Sequence, residues 1–533
     1  MNALTGTARS ARLALRRERR IAPWWIILLV ALALSLVSYI NRNMPTPEVM
    51  TTYTTMINRN SFFRALGGGF VVPDLGYMQA WRSGGFLYVL NGLAALMAVV
   101  RYTRADEEAG RIELLRAGVL GRQAPLTAAL LVAGGVSFAG GAATTIVLIG
   151  IGLDPAGSID YGAAITMAGW VFGAIAAVAA QLAQTARMAR AIALSVLGLA
   201  YILRYAGDAS GQYWMKYISP IGWSHLVEPY WSDRWWALAI PAAVTAALTA
   251  IAYRLAGRRD LGAGVIHERR GPVTAPGLRG PISLSWRLHR GLLITWAAGI
   301  ACFAAAAGGV STLAYQFTEA PGVTVDNLLK AFGGSSGGGA VDFALWAIIL
   351  IFAHVIALYP VLMVQRLRAD ETTGRAEAVQ ATPMTRLRWA TGQLVVAGLG
   401  SAALLAVAGV VFGTFYAFLV GDPASDIVRI LAGTLGTVPA AWLVGAICVL
   451  AYGLVPRASV TIGWITWVAV AVMGRAAGPL YGLWGGTPFE PFHYIPNTVA
   501  GAPFDPVPAL TMVALSALLL GGGLFALRRR DFG

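Results

Sequence analysis

The sequence predicts an all-α polytopic membrane protein made of two parallel repeats of six transmembrane helices. Three observations predict this fold class: the composition, a series of long apolar runs, and an internal repeat. Of the 533 residues 57% are apolar and only 12% are charged, and the mean hydropathy is +0.65. Soluble domains carry about 25% charged residues, so the composition excludes a set of ordinary soluble domains.

Twelve apolar runs are long enough to cross a bilayer, whose core requires about 20 helical residues. An Arg-rich stretch of 20 residues precedes the first run. That stretch is too long for the basic region of a signal peptide, and we expect the first run to be retained as a helix. The predicted spans are 22–40, 83–100, 126–151, 162–183, 190–206, 235–254, 291–313, 341–364, 389–419, 427–453, 458–475 and 506–527.

The basic residues sort to one side of these spans. With both termini in the cytoplasm, 30 of the 40 Lys and Arg residues fall on inner segments, which then carry a net charge of +19 against −4 elsewhere. Such a bias follows the positive-inside rule and predicts a multi-pass protein of a bacterial inner membrane. The net charge of +15 is therefore a topology signal and does not indicate binding to nucleic acid. The Ala, Gly and Arg content is typical of actinobacteria.

The chain consists of two copies of one unit, offset by 264 to 271 residues. Residues 104–111 read RADEEAGR and residues 368–375 read RADETTGR, while an Arg-Asp pair closes each half at Arg259 and Arg530. Six spans per half give both halves the same orientation, with a pseudo-two-fold axis along the membrane normal. We expect a transport route on this axis. The predicted domains are 1–256, a cytoplasmic linker at 257–283, and 284–533.

Two inner loops, between spans 2 and 3 and between spans 8 and 9, share the pattern Glu-x-x-Gly-x-x-Glu. On a short helix, this spacing lets acidic and basic side chains project toward a docked partner. A solvated loop whose charges only fix topology is the alternative, which the second copy disfavours. The candidate coupling residues are Arg104, Asp106, Glu107, Gly110, Arg111, Glu113, Arg122, Arg368, Asp370, Glu371, Gly374, Arg375, Glu377 and Arg386.

These loops resemble the coupling segment of ABC exporter permeases of the type V class. The usual form there is Glu-x-Glu-x-Gly-Thr-x-Glu followed by a Thr-Pro or Ser-Pro turn. Thr382-Pro383 matches the turn, Gly118-Val119 departs from it, and Arg111 and Arg375 stand where Thr is common. Resemblance covers essentially the whole chain, and the fused twelve-span length is most similar to actinobacterial polyketide-antibiotic exporters of the tetronasin type.

Other segments resemble the same family. The basic stretches 13–25 and 284–296 are similar to its interfacial elbow helices, whose Arg side chains lie at anionic headgroups. Residues 207–233 and 476–502, which are rich in Trp, Tyr and Pro, are similar to its short outer re-entrant helices.

The resemblance implies a permease subunit that exports amphipathic compounds, such as polyketide antibiotics or drugs, by alternating access. Two copies of an ABC ATP-binding subunit would dock on the two loops and carry ATP and Mg. The chain itself would be no enzyme, since it has no Gly-Lys pair and so no P-loop. No metal or disulfide framework is predicted, because Cys302 and Cys448 are isolated in apolar runs.

Ionisable and aromatic residues within the spans are candidates for the substrate route. Simpler interpretations remain open: a hydrogen-bonded core histidine at position 354, arginines that extend to headgroups, and aromatic side chains that pack or face lipid. The candidates are Phe86, Tyr88, Asn91, Tyr201, Arg204, Phe343, Trp346, His354, Trp464, Trp467 and Arg475.

Three other functions fit parts of the sequence. A proton-coupled secondary transporter also has two six-span halves, but these loops are acidic and roughly 25 residues long, and no buried acid is expected in mid-span. An ABC exporter of a lipid-like cargo shares every feature above. A lipid-modifying membrane enzyme requires clustered His, Asp and Glu, whereas the five histidines are scattered.

Overall fold

The computed structural model describes residues 3–116, 120–260, 262–266, 274–275, 277–311, 340–419, 422–473 and 489–530. It divides into two compact units, Met1–Gly271 and Pro272–Gly533. Regular structure in the described residues is helical, apart from an isolated bridge between Ala183 and Ile266. Each unit has its own apolar core.

The first unit contains six helices that are long and apolar enough to span a membrane. The predicted second span begins eight residues early, at Leu75, because Asp74 caps the helix by accepting the backbone N–H of Tyr77 at 2.8 Å. Short helices lie at Pro47–Arg59, Ser61–Gly67, Trp214–Ile218 and Pro220–His225. The spanning helices are Ala22–Arg42, Leu75–Glu108, Ala124–Gly150, Pro155–Leu182, Ala186–Ser210 and Trp235–Arg258.

The second unit contains five such helices in its described residues. The described residues of both units thus hold eleven candidate spans, and the predicted twelve-span layout is not confirmed. The prediction 458–475 corresponds to a shorter apolar helix, Ser459–Met473. Residues 474–488 lie outside the described part of the chain. The five long helices are Pro281–Ser311, Val341–Thr372, Arg386–Leu419, Pro423–Leu454 and Pro506–Arg529.

The two predicted elbow helices differ in structure. The first is a separate helix, Thr7–Glu18, and the next helix starts at Ala22 with Pro23 in its first turn. Proline suits a first turn and interrupts a helix interior. The second elbow prediction, 284–296, is instead the first part of the continuous helix Pro281–Ser311, since residues 282–311 contain no proline.

Residues that were predicted to be linker pack on the first unit. The backbone N–H of Ile266 donates to Leu182 O at 2.9 Å, and Gly264 lies so close that a Cβ there would be 2.5 Å from Gln184 N. The packed part of the first unit therefore continues at least to residue 266, beyond the predicted boundary at 256.

Helices Ala124–Gly150 and Pro155–Leu182 approach closely through glycine. A Cβ on Gly141 would lie 2.3 Å from Gly162 O, and a Cβ on Gly162 would lie 1.9 Å from Thr145 Oγ1. Membrane helices pack closely where small residues meet. This crossing positions the second helix of the pair, which carries much of the buried core of the unit.

Gly141→Ala should lower the thermal unfolding temperature of the purified chain by several degrees. Overpacking of a tight contact costs about 1–3 kcal/mol, and the nearest atom is backbone. Unfolding in detergent, followed by fluorescence-detected size exclusion, measures the change. Gly135→Ala on the same helix is the control, because no atom lies within 4 Å of its added Cβ. We expect no loss there, so an equal loss in both variants would contradict the close contact.

Candidate functional site

Glu107 is the centre of a buried charge cluster in the first unit, on the face that is predicted to be cytoplasmic. Its residue exposure is 7%. Both terminal nitrogens of Arg259 donate to its carboxylate at 2.8 Å, and the N–H of Gly262 donates at 2.7 Å. Arg104, which is 1% exposed, lies 3.3 Å from the same carboxylate. Bidentate charge-assisted hydrogen bonds of this kind are among the strongest in proteins.

Glu371 has the same arrangement in the second unit. It is 8% exposed, and Arg530 donates to its two oxygens at 2.9 Å each. The hydroxyl of Tyr452 donates at 2.9 Å, where the first unit uses a backbone N–H. Arg368 Nη1 lies 3.4 Å from Glu371 Oε2. The internal repeat is therefore present in side-chain contacts as well as in sequence.

A further arginine binds the same helix end in each unit. Arg122 donates to Ala256 O at 3.1 Å and to Arg259 O at 2.6 Å, and Arg386 donates to Arg530 O. The last carbonyl groups of a helix lack partners within the helix, and a cation there is favourable. These contacts close the carboxyl ends of the helices Ala239–Arg258 and Pro506–Arg529.

In each unit, the glutamate and the three arginines described above join an inner loop to the last helix of the same unit, and we name these four residues a loop clamp. The sequence predicts that acids of these loops can project toward a docked partner, whereas the carboxylates of Glu107 and Glu371 turn inward and pair within the chain. Burial of an ionised carboxylate requires such a partner. The clamps consist of Arg104, Glu107, Arg122 and Arg259 in the first unit, and of Arg368, Glu371, Arg386 and Arg530 in the second.

The glycine of each loop pattern makes a turn immediately after the clamp. Gly110 has φ 71° and Gly374 has φ 73°, in the left-handed region that glycine enters without steric cost. A short helix follows each turn, at Arg111–Arg116 and Arg375–Gln380. The turn therefore reverses the chain so that one acid of the pattern is buried and the next is presented outward.

The short helices carry the exposed members of the predicted coupling set. Glu113 and Glu377 are exposed, and the side chains of Arg111 and Arg375 are 56% and 61% exposed. Arg111 pairs with Asp106, and Arg375 Nη1 lies 3.5 Å from Asp370. The arrangement leaves one acid and one partly paired arginine per unit facing outward.

The amino-terminal helix is tied to the first loop. Arg17 Nη1 lies 2.6 Å from Asp106 Oδ2, and this hydrogen bond raises the pKa of Arg17. Glu18, which is 3% exposed, pairs with Arg101 at 3.0 Å and accepts from the hydroxyl of Tyr102. In the second unit, the position equivalent to Glu18 is His289, whose Nδ1 lies 3.2 Å from Arg366.

A polar cavity of about 390 Å³ lies beside the first clamp. It is bounded by Glu107, Arg122 and Arg259, and by Ile112 from the short helix. Ile112 is 5% exposed, so it fixes the short helix to the unit, whereas Leu114 on the same helix is 78% exposed.

Arg204 is buried and does not extend to headgroups. It is 0% exposed, donates to Ala65 O at 2.5 Å, and pairs with Asp208 at 3.4 Å. Lys216 binds the other oxygen of Asp208 at 2.7 Å. Tyr201 lies over the guanidinium, whose carbon is 4.8 Å from the ring centroid. The cluster joins the fifth span of the first unit to the short helices Ser61–Gly67 and Trp214–Ile218.

The other route candidates of the first unit are mostly buried. Tyr88 is 1% exposed and makes an edge contact with His225, with ring centroids 5.1 Å apart. Asn91 donates to Ile165 O at 2.7 Å. Phe86 is 55% exposed. These contacts favour packing roles for the first two and leave Phe86 available for a lipid or a substrate.

His354 is a hydrogen-bonded core residue in the second unit. Its Nδ1 lies 2.6 Å from Leu350 O, and its Nε2 lies 2.7 Å from Glu490, which is 1% exposed. Trp467 donates to His354 O at 2.8 Å. Phe343 and Trp346 are buried, and Trp464 is 40% exposed. Arg475 lies outside the described residues.

An apolar groove of about 530 Å³ is present in the first unit between three of its spanning helices. Leu131, Phe138 and Trp170 supply its apolar surface, and Thr249 and Tyr253 supply hydroxyl groups. Pockets for drug-sized ligands have volumes of about 300–1,000 Å³ and are mainly apolar with a few polar groups. The groove has the size and chemistry for an amphipathic molecule.

Eleven candidate spans in the described residues are typical of a multi-pass membrane protein. A model for the C-terminal domain of the multidrug efflux system permease Rv1217c matches residues 278–528. The multidrug efflux system permease protein Rv1217c of Mycobacterium tuberculosis (strain ATCC 25618 / H37Rv) is 38% identical over 534 residues, which cover 99% of this chain and 95% of that protein. The chain belongs to the family of this permease. Membership agrees with the prediction of a transport subunit that is not an enzyme.

Sequence reasoning missed Glu18 and the clamp role of Arg259 and Arg530. The repeated Arg-Asp pair at the end of each half was the available signal. Those two arginines lie 152 and 159 positions from their glutamates, too far for any local pattern to connect them.

Glu107→Gln and Glu371→Gln should each destabilise the protein by about 3 kcal/mol, because each leaves a buried guanidinium without its anionic partner. Thermal unfolding in detergent measures the loss. Glu113→Gln and Glu377→Gln are the matched controls, since surface substitutions usually change stability by less than about 0.5 kcal/mol. Equal stability of all four variants would show that the clamps contribute nothing to the fold.

Proposed function

We propose that the chain is the membrane-spanning permease subunit of an ATP-driven exporter of amphipathic compounds, polyketide antibiotics or drugs among them. Family membership supports the efflux role, since the relative of Mycobacterium tuberculosis is named a multidrug efflux system permease. The amphipathic cargo is supported by the apolar groove and its hydroxyl groups. A lipid-like cargo has the same chemistry and is an outcome of the transport assay below.

The duplicated loop carries the proposal. Each unit holds a short helix at the predicted cytoplasmic face, with an exposed acid and an exposed arginine, on a loop that is fixed by a buried clamp. Such a surface suits docking of another subunit, and its duplication suits two copies of one ATP-binding subunit. The resemblance of the loops to the coupling segment of type V ABC exporters supports the same assignment.

ATP and Mg belong on those partner subunits. The sequence has no Gly-Lys pair, so this chain has no P-loop of the usual form. The charge distribution, with most Lys and Arg residues on the predicted inner loops, supports a bacterial inner membrane with both termini in the cytoplasm.

The clamps give this function a mechanical basis. Force applied to the helix Arg111–Arg116 passes through Glu107 to Arg259, at the carboxyl end of the last helix of the unit. Glu371 and Arg530 make the same connection in the second unit. Partner closure on ATP binding would then move the last helix of each unit together with its loop, as alternating access requires.

A proton-coupled secondary transporter is the second candidate, and one observation favours it. Asp160 is 0% exposed within the helix Pro155–Leu182, close to its amino-terminal end. Buried acids in spanning helices are typical of proton relays. The structure thus contains a buried acid, although it does not lie in mid-span.

Co-purification and reconstitution distinguish the two. The first candidate requires that an ATP-binding subunit purify with the chain, and that ATP drive export of a fluorescent amphipathic dye from liposomes. Export driven by a proton gradient in the absence of any ATP-binding subunit would reject it. Transbilayer movement of labelled lipid without dye export would identify a lipid cargo.

The double variant Glu113→Lys with Glu377→Lys should abolish partner binding and export while the chain still folds. Both glutamates are exposed, so reversal of their charge removes docking contacts without burying a cation. Pull-down with the ATP-binding subunit and dye export provide the measurements. Glu48→Lys, also exposed but in the helix after the first span, is the control and should behave as wild type. Normal export by the double variant would remove the docking assignment.

A further inference from the structure

The two short loop helices, Arg111–Arg116 and Arg375–Gln380, carry the same outward charges but different apolar residues. Each begins with an arginine and has a glutamate two residues later, and an offset of 264 residues aligns them. At the next position the first helix has Leu114 and the second has Ala378, and both are exposed. The charged part of the surface is therefore duplicated, whereas its apolar part is not.

Leu114 points away from the first unit. Ile112 on the same helix is 5% exposed and lines the cavity together with Leu126 and Ala256, which lie at the inner ends of two spanning helices. Successive residues of a helix are about 100° apart around its axis, so Leu114 and Ile112 lie on opposite sides. The Leu114 side chain thus faces away from the ends of the spans, toward the predicted cytoplasm.

The surroundings of Leu114 indicate what kind of surface can cover it. With 78% it has the largest exposed fraction of any leucine in the described part of the chain. Single exposed leucines are common, but this one is flanked on its short helix by the exposed charges of Arg111 and Glu113. The interior of a bilayer would exclude those charges. An apolar centre with a charged rim instead suits a protein partner, whose surface has an apolar pocket beside an acidic and a basic group.

The first loop is also held by the amino-terminal segment, on both sides of its short helix. Arg17 pairs with Asp106 at 2.6 Å before the helix, and the N–H of Gly121 donates to Thr5 O at 2.8 Å after it. In the second unit, the position equivalent to Arg17 is Leu288, which cannot form an ion pair. A loop that is ordered before binding loses less conformational entropy when a partner docks. This difference favours the first loop in the same direction as Leu114 does.

We infer that the two docking surfaces are unequal, and that an ATP-binding subunit binds first and more tightly to the first unit, through an apolar pocket that takes Leu114. This inference rests on the proposed function, since it requires such subunits to dock on both loops. The shared charges let the same subunit recognise both helices, and Leu114 sets the difference in affinity. Leucine buries three more carbon atoms than alanine, which corresponds to an affinity difference of about 10- to 50-fold.

Titration of the full chain in lipid nanodiscs tests this inference, with the ATP-binding subunit that co-purifies with the chain as the probe. Native mass spectrometry in the absence of nucleotide counts chains that carry no, one or two subunits. Two equal and independent sites never place more than half of the chains in the singly loaded state. For the wild type we expect clearly more than half at intermediate subunit concentrations.

Two exchanges assign the difference to the apolar position. Ala378→Leu should raise the affinity of the weaker site by about 10- to 50-fold, and Leu114→Ala should lower that of the tighter site by a similar factor. In both variants the singly loaded fraction should fall toward half. Both side chains are exposed, so neither substitution disturbs the fold. Leu518→Ala, at a leucine that is 71% exposed in the last spanning helix, is the matched control and should bind as wild type does.

Equal affinities in the wild type would overturn the inference and leave the proposed function intact. An Ala378→Leu variant whose weaker site is unchanged would also overturn it. Unchanged binding by Leu114→Ala would show that this side chain does not enter a pocket of the partner. If no ATP-binding subunit binds the chain at all, the proposed function fails and this inference fails with it.

Discussion

The bidentate pair between a loop glutamate and the arginine at the end of the last helix is the interaction on which each unit depends. Glu107 with Arg259, and Glu371 with Arg530, are buried ion pairs, which are stable only when both partners are present and their remaining hydrogen-bonding groups are satisfied. The supporting arginines and the backbone N–H or tyrosine hydroxyl add further contacts to each carboxylate. The pairs close the unit by joining its second span to its last helix across more than 150 residues.

Much of the fold was predictable because membrane insertion leaves a strong record in sequence. Long apolar runs located the spans to within a few residues at most ends, and the repeat located matching positions in the two halves. The interior of the polar site was not predictable in the same way. Helical spacing shows that Glu107 and Glu113 belong to one short segment, but the left-handed turn at Gly110 sends one inward and one outward. That outcome depends on Arg259, which lies far along the chain.

Arg204 is a second residue whose contacts could not be predicted from the sequence pattern around it. An arginine near a span end usually extends to headgroups, yet this one is fully buried, and its terminal nitrogens bind Asp208 and two carbonyl groups. Asp208 lies one helical turn later in the sequence, so its presence was a usable local signal. Residues 259–260 and 262–266, which were predicted to be linker, contact the first unit through backbone groups that leave no trace in composition.

The placement of the clamps determines where the chain can be split into two polypeptides. Each clamp is completed by residues of its own half, and the last contact of the first half that the structure describes is made by Ile266. A split after this residue leaves every clamp partner on the correct polypeptide, whereas a split at the end of the helix Ala239–Arg258 separates Arg259 from Glu107. Each half thus supplies all four residues of its own clamp, as two formerly separate proteins joined by gene fusion would do.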